Sequence, residues 1–332
     1  MGDHEQHPIT AIWALRQAFV AVDAPFHEDQ PSPSTFRTST DALHWTKFTF
    51  PERGFLAEHG VVLDGVLTMV GHVGPEADPN RQIWTTEDGR AWHRVNSTTG
   101  LDFGAGSVRA LVHADAGWIA QGIEWLDAET ARSHLLFSSD LRDWTELDGP
   151  PGGVGGLASD GRRFMGVAAN LSDGPGVVDV LGSEDGLTWS RVHVAEVAKW
   201  EGADVIAGTP AGFAIAGQRF EPTDESSHPI GWASADGASW KASQFQGPAG
   251  PAGEAAPRVI LSSIDGLIAH GDGDPLQDAL WLSDDGAVWV QVTPLPELLG
   301  VDAYLRAGRD LIVAGHASAD GPIEIWRGSA VR

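Results

Sequence analysis

Five ionisable residues, Glu58, Arg109, Asp204, Arg258 and Asp302, share one register position in a chain that repeats itself. The register comes from aligning each repeat on the small residue that closes its second apolar run, which puts Thr10 and Gly155 at the same level. Two guanidinium groups there could grip an anionic group, and Glu58, Asp204 and Asp302 could serve in proton transfer. The same residues could instead be salt bridges lining a water-filled channel, since buried charge must be paired. Tyr304 lies two residues beyond Asp302, so by strand alternation Tyr304 and Arg306 share its side, while Ala110, Val259 and Ala303 should point the other way. The candidate ligand-binding level is therefore Glu58, Arg109, Asp204, Arg258, Asp302 and Tyr304, and no single residue is assigned as catalytic.

Such a level needs repeated elements to hold it. The stretch "WTTEDGRAWHRV", from Trp84 to Val95, nearly returns as "LGSEDGLTWSRV", "WASADGASWKAS" and "WLSDDGAVWVQV". Six phrases centre on Asp41, Asp88, Asp140, Asp185, Asp236 and Asp285, at intervals of 45 to 52 residues. A Ser or Thr precedes each Asp by two, at Ser39, Thr86, Ser138, Ser183, Ser234 and Ser283. A tryptophan follows by four, at Trp45, Trp92, Trp144, Trp189, Trp240 and Trp289. Asp with Gly behind it is a hairpin signal, since both tolerate left-handed backbone angles. The carboxylate and hydroxyl can accept from backbone N–H groups of the turn, and the indole can plug the gap between sheets. Turn chemistry alone accounts for the six acids, so they are read as structural rather than as metal or sugar sites. Ala42 and Leu141 replace the Gly in the first and third phrases, where a differently shaped turn is expected.

Between phrases the chain carries short alternating runs bounded by Gly, Asp and Asn, such as "VRALVHA" and "GWIAQG", which read as strands. Each unit holds about four. A four-stranded unit repeated at this spacing marks a β-propeller blade, because one small sheet cannot bury its faces until neighbours stack on both sides. The expected fold is all-β, a seven-bladed propeller of four-stranded antiparallel blades in a single domain over 1–332, with six blades as the alternative. Its blades span about 9–50, 51–97, 104–147, 153–193, 202–243, 257–292 and 300–332. The last lacks a phrase, so its outer strand is expected to be missing or replaced by residues 1–8.

The pattern Ser-x-Asp-Gly-x-x-Trp resembles the Asp-box, or BNR, repeat of sialidase-like β-propellers, over nearly the whole chain. The commoner box has one more residue between Asp and Trp. The resemblance implies that the boxes sit at the turn between third and fourth strands, away from any catalytic centre. It thus assigns structural roles to Ser183, Asp185, Gly186, Trp189 and their counterparts. A sialidase of that family would need three arginines around a carboxylate and a tyrosine nucleophile with a Glu partner. Here Tyr304 is the one tyrosine, an early Arg-Ile-Pro element is missing, and seven units stand in place of the usual six. Shared fold does not carry chemistry with it.

Composition narrows the partners. Acidic residues outnumber Lys and Arg by 46 to 21, giving a formal charge of −25. Nucleic acid and anionic membrane surfaces should be repelled. The chain has no cysteine, which excludes disulfides and thiolate metal sites. Its 13 histidines lack zinc-site spacing, so no metal and no cofactor is expected. With no apolar run long enough to span a bilayer and no basic, apolar leader, the expectation is a soluble cytoplasmic monomer, or a secreted one if a signal peptide has been trimmed. Loops between second and third strands are long and acidic, and Phe26, Trp125 and Phe220 in them could stack on a sugar or peptide. Two functions follow. One is a non-catalytic propeller that binds a small-molecule, carbohydrate or protein ligand at the channel mouth. The other is a glycoside hydrolase or lyase acting on a carbohydrate or anionic small molecule with the level's carboxylates as acid and base.

Overall fold

The alternating runs all become strands, and they pair with their sequence neighbours. The computed structural model describes residues 9–23, 33–75, 79–96, 99–104, 106–127, 130–148, 154–168, 176–198, 201–221, 223, 226–247, 256–263, 265–272, 278–292, 300–316 and 323–329. Sheet 1 holds β1 (Ile9–Ala14), β2 (Phe19–Asp23), β3 (Thr35–Ser39) and β4 (Thr46–Phe48). Sheet 2 holds β5 (Leu56–Leu63), β6 (Val66–Val73), β7 (Asn80–Thr86) and β8 (His93–Arg94). Sheet 3 holds β9 (Gly106–Ala114), β10 (Gly117–Trp125), β11 (Ala131–Ser138) and β12 (Thr145–Glu146). Sheet 4 holds β13 (Gly156–Ser159), β14 (Phe164–Val167), β15 (Gly176–Ser183) and β16 (Ser190–Val197). Sheet 5 holds β17 (Glu201–Thr209), β18 (Gly212–Glu221), β19 (Ser226–Ser234) and β20 (Lys241–Ala242). The short β21 (Gln244–Gln246) leaves that sheet and adds in parallel to the outer edge of sheet 6, formed by β22 (Ala256–Ser263), β23 (Gly266–Asp272), β24 (Asp278–Ser283) and β25 (Val288–Gln291). Sheet 7 holds β26 (Gly300–Ala307), β27 (Asp310–His316) and β28 (Ile323–Ser329).

This is a seven-bladed β-propeller, and seven sheets dispose of the six-blade alternative. The last sheet has three strands among the described residues, and residues 1–8, expected as its substitute edge, lie outside them. The chain divides into two compact units, Met1–Leu111 with Trp118–Leu147 and Leu298–Arg332, and Val112–Gly117 with Asp148–Glu297. Sheets 1, 2, 3 and 7 fall essentially in the first, and sheets 4, 5 and 6 in the second.

Within each unit the core lies between consecutive sheets. In the first, Phe36 stacks on Phe50 at 4.4 Å and meets Trp92 edge-on at 5.7 Å, so an indole from the outer edge of sheet 2 packs against sheet 1. Trp144 joins Val70 and Ile83 of sheet 2, and Ile312 and Leu305 of sheet 7 pack with Ile9 and Ile12 of sheet 1. In the second unit Trp289, fully buried, packs with Ala207, Ala214 and Ala216 of sheet 5 while Phe245 of β21 stacks on it at 5.8 Å. The second strand of each sheet is the most covered: all four residues of β14 are buried, as are six in a row of β6, β10 and β18. Arginines also tie sheets together. Arg327 of β28, paired with Asp310, donates to the Asp41 carbonyl at 2.7 Å and thereby joins the last sheet to the first. Arg163, paired with Asp160, donates to the Asp236 carbonyl in the next sheet.

Trp289→Ala should destabilise the protein by about 3–5 kcal/mol, the range for emptying a large aromatic site. Val290→Ser, at a side chain 50% exposed, should change it by less than about 0.5 kcal/mol. Urea unfolding midpoints of the two variants check this contrast.

Candidate functional site

The antiparallel meander gives each sheet two unlike ends. The turn end carries the hairpin between strands one and two and the repeated phrase between strands three and four. The entry end carries the incoming connection and the loop between strands two and three.

At the turn end every acid of the phrase is engaged by its own turn. Asp88 Oδ1 accepts from the N–H groups of Arg90 and Ala91, both at 2.8 Å, and Asp236 Oδ1 accepts from Ala238 and Ser239 at 2.9 and 2.7 Å. Asp41, Asp140 and Asp185 use Oδ1 in the same way, and Asp285 Oδ1 accepts from the Ala287 N–H at 2.9 Å. Indole N–H groups of Trp45, Trp92, Trp144 and Trp240 donate back to the turn carbonyls of Ala42, Gly89, Leu141 and Gly237. The Trp189 and Trp289 indole nitrogens, by contrast, are buried without a hydrogen-bond partner. The first and third turns were expected to differ in shape and do not. Ala42 and Leu141 take φ of 60° and 69°, beside 72° at Gly89 and 74° at Gly186. The doubly accepting carboxylate and the indole bond fix the turn strongly enough to hold a non-glycine residue in the left-handed region, which ordinarily costs about 1–2 kcal/mol. The backbone donors of Thr188 and Leu187 hold the Asp185 carboxyl down at about 2, and Asp236, Asp140 and Asp88 are lowered by the equivalent donors. In Asp41 the His44 side chain contributes most to the lowering.

At the entry end the register of strands one and two slips by a residue in five sheets. The slips fall between Ile9 and Ala11, Ala57 and His59, Ala203 and Val205, Pro257 and Val259, and Val301 and Ala303. The residues left over are Thr10, Glu58, Asp204, Arg258 and Asp302, five of the positions aligned from the sequence. Each is the extra residue of a β-bulge, which bends a strand and re-aims its side chains. Simple alternation therefore fails to order the neighbours: Val259 is 40% exposed and Ala303 is buried. The small residue that set the alignment has a cause here. A Cβ on Gly71 would lie 2.1 Å from the Leu56 carbonyl, and one on Gly217 would lie 2.0 Å from that of Gly202, because the bulged strand presses its backbone onto the second strand.

The level divides into different environments. Glu58 is 7% exposed, with Oε1 2.9 Å from His72 Nδ1 and Oε2 accepting the Val108 N–H of sheet 3 at 3.3 Å. Asp302 faces His316 Nε2 at 2.9 Å. Glu58 and Asp302 thus each meet a histidine from the second strand of their own sheet. Arg109, beside Val108, is exposed. Tyr304 is 7% exposed, in the interior rather than on the surface. Asp204 and Arg258 have strand backbones, but their side chains, like Phe26, lie outside the described residues.

Glu58 belongs to a polar network across sheets 2 and 3 that sequence reasoning missed. The Arg81 side chain, 1% exposed, lies 4.0 Å from Glu58 and donates to the Gly104 and Gly106 carbonyls at 3.3 and 2.6 Å. Its guanidinium sits over the Phe103 ring at 5.0 Å. Burial pushes the Arg81 pKa down, and Glu58 and then Asp102 oppose that shift. Two nitrogens in the network, His72 Nε2 and Arg81 Nε, are buried without a hydrogen-bond partner. Phe103 meets His134 edge-on at 6.2 Å, and His134 is held between Glu146 at 2.7 Å and Glu124 at 3.0 Å. Glu146 is 52% and Glu124 25% exposed, so the network opens to solvent at sheet 3. A signal for part of it was present: His72 and His316 each follow the small residue that closes the second strand. No group of three or more His, Asp or Glu able to hold a metal occurs among the described residues.

No family model matches the chain, and no curated protein matches it. Solved structures do match. Acylaminoacyl peptidase of Pyrococcus horikoshii superposes with a TM-score of 0.59 at 9% identity, over 99% of this chain and 53% of its own, so this chain spans about half the length of that enzyme. The β-propeller domain of the Trilobed protease from Pyrococcus furiosus gives 0.57 at 9% identity, covering 99% of both chains. The polysaccharide lyase Uly1 gives 0.57 at 9% identity, over 99% of this chain and 91% of its own. At such identities the likeness is one of fold, and the class it defines is the β-propeller.

His59 follows the bulge on β5, and burial pushes its imidazole down to about 4. The fold favours its neutral form, so that stabilisation is complete above the free value near 6.5 and is lost as pH falls from there toward about 4. At pH ~5 the loss is about 2 kcal/mol. Urea titrations at pH ~7.5 and ~5 should show wild type losing roughly that much more than His59→Gln.

Proposed function

We propose that this chain is a non-catalytic propeller of the Asp-box kind that binds a ligand or protein partner at the entry end of its sheets. The observation that carries this reading is the state of Glu58. Both of its oxygens are engaged, one by His72 and one by the Val108 N–H, and it is 7% exposed, so it ties sheet 2 to sheet 3 rather than standing ready to move a proton. Tyr304 is likewise shut in. Groups suited to recognition sit exposed at the same end: Arg109, Trp125 and Arg132.

The second reading is a hydrolase or lyase acting on a carbohydrate or anionic small molecule. In its favour stand Glu124 and Glu146, two partly exposed carboxylates on either side of the His134 ring. The likeness to a polysaccharide lyase supports its scaffold and not its chemistry.

Incubation with panels of polysaccharides, glycosides and peptides separates the two. The binding reading expects no new reducing ends, unsaturated sugar or cleaved peptide, together with a saturable isotherm for at least one compound that raises the melting temperature. Turnover abolished by Glu124→Gln or Glu146→Gln would establish the enzymatic reading instead.

A further inference from the structure

We propose that Asp64–Gly65, the turn between β5 and β6, is a modification site at which the folded chain converts aspartate to isoaspartate, and that turn hydrogen bonds shield the other described Asp–Gly pairs from this reaction. The modification is independent of whether the entry end binds or catalyses. An Asp followed by Gly is open to it because glycine has no side chain to hinder approach to its own amide nitrogen. The Gly65 nitrogen attacks the Asp64 Cγ, a C–N bond forms, and the amide proton and the carboxyl hydroxyl leave as water. Hydrolysis of the cyclic imide takes one water back, giving either Asp64 again or an isoaspartate whose main chain runs through Cγ.

The Asp–Gly pairs whose side chains are described begin at Asp64, Asp88, Asp160, Asp185, Asp236 and Asp285. Oδ1 of Asp88, Asp160, Asp185 and Asp236 accepts two backbone N–H groups of its own turn at 2.6 to 2.9 Å, and Oδ1 of Asp285 accepts one at 2.9 Å. The attacking nitrogen is occupied as well. Gly89, Gly161, Gly186 and Gly286 donate their N–H groups to the hydroxyls of Thr86, Ser159, Ser183 and Ser283 at 2.8 to 2.9 Å. The same backbone donors hold the carboxyls of Asp88, Asp185 and Asp236 below the usual range, and a carboxylate has no hydroxyl to lose.

Asp64 has none of this. It is exposed, and its carboxylate makes no hydrogen bond among the described residues. Its two-residue turn, with φ of 51° at Asp64 and 79° at Gly65, is closed by the Leu63–Val66 pair at the end of the ladder. Each local opening of that hairpin frees the carboxyl and the nitrogen together, whereas the other turns must first break their own side-chain bonds. Isoaspartate adds one atom to the main chain of the turn. Because loop length fixes the register of a hairpin, the product strains the pairing of β5 with β6, in the sheet that carries Glu58.

The test is prolonged incubation of the wild-type chain at neutral pH, followed by peptide mapping with electron-transfer fragmentation, which tells isoaspartate from aspartate at each site. Asp64 should convert about tenfold or more faster than the five shielded residues, the factor that two ordinary hydrogen bonds represent. In concentrated urea all of them should convert at similar rates. Thr86→Val keeps the side-chain shape and removes the hydroxyl, so conversion at Asp88 should rise severalfold while Asp64 and Asp185 in the same sample stay unchanged. Aged wild type should show a lowered urea midpoint that aged Asp64→Ser does not. Equal rates at Asp64 and the shielded residues in the folded chain, or a preference for Asp64 that persists in urea, would overturn the proposal. A Thr86→Val variant in which Asp88 and Asp185 rise together, or Asp88 does not rise, would overturn the shielding.

Discussion

A sheet of three or four short strands has two apolar faces and cannot shelter both. The apolar core of this chain follows from how successive sheets solve that for one another. Burial of apolar surface is worth about 25 cal/mol per Å², and the large side chains here lie between sheets: Phe36 against Phe50 and Trp92, Trp144 against Val70 and Ile83, and Trp289 against the alanines of β18. The alanines are as telling as the indoles. Ala207, Ala214 and Ala216 leave room for Trp289, a small-against-large match that lets neighbouring sheets close to native packing density. The second strand of each sheet, covered on both faces, is the natural centre of stability.

Once the faces are committed to packing, only the two ends of each sheet are left for chemistry, and the chain treats them differently. The turn end repeats one device in sheets 1 to 6, a carboxylate that accepts backbone N–H groups of its own turn, joined in four of them by an indole that donates back to the turn. Little remains there for a ligand. The entry end is varied. Its bulges bring out-of-register residues such as Glu58 and Asp302 beside the polar ends of second strands, where His72 and His316 receive them. Between sheets 2 and 3 this grows into a chain of contacts from His72 through Glu58, Arg81 and Phe103 to His134 and its two glutamates. Its inner part is closed and holds the sheets together, and its outer part faces solvent.

The fold was legible because its signal is local and repeated. A Ser or Thr, an Asp and a Trp at fixed offsets specify a turn wherever they occur, and six occurrences define the period. Even so, Ala42 and Leu141 show that the acid and the indole specify the turn more strongly than the glycine does. The level of charged residues was found by counting back from a small residue, and it marks a real feature, the bulge. Its orientation was not legible, because alternation presumes an unbroken ladder and the bulge breaks it at that very residue. Arg81 and His134 look in sequence like ordinary polar residues of third strands. Their importance comes from Phe103, Gly104 and Glu124, partners supplied by the packing of one sheet on the next or by a neighbouring strand. The strap β21 was missed for the same reason, since three residues of "QFQ" carry no period and gain their role only by lying along Trp289.

Amide hydrogen exchange followed by mass spectrometry tests the central claim most directly. If the sheets shelter one another face to face, the slowest amides should lie in the second strands β2, β6, β10, β14, β18, β23 and β27. The fourth strands and the entry-end loops should exchange far earlier. A sheet whose second strand exchanges as fast as its outer edge, while its neighbours stay protected, would contradict the account.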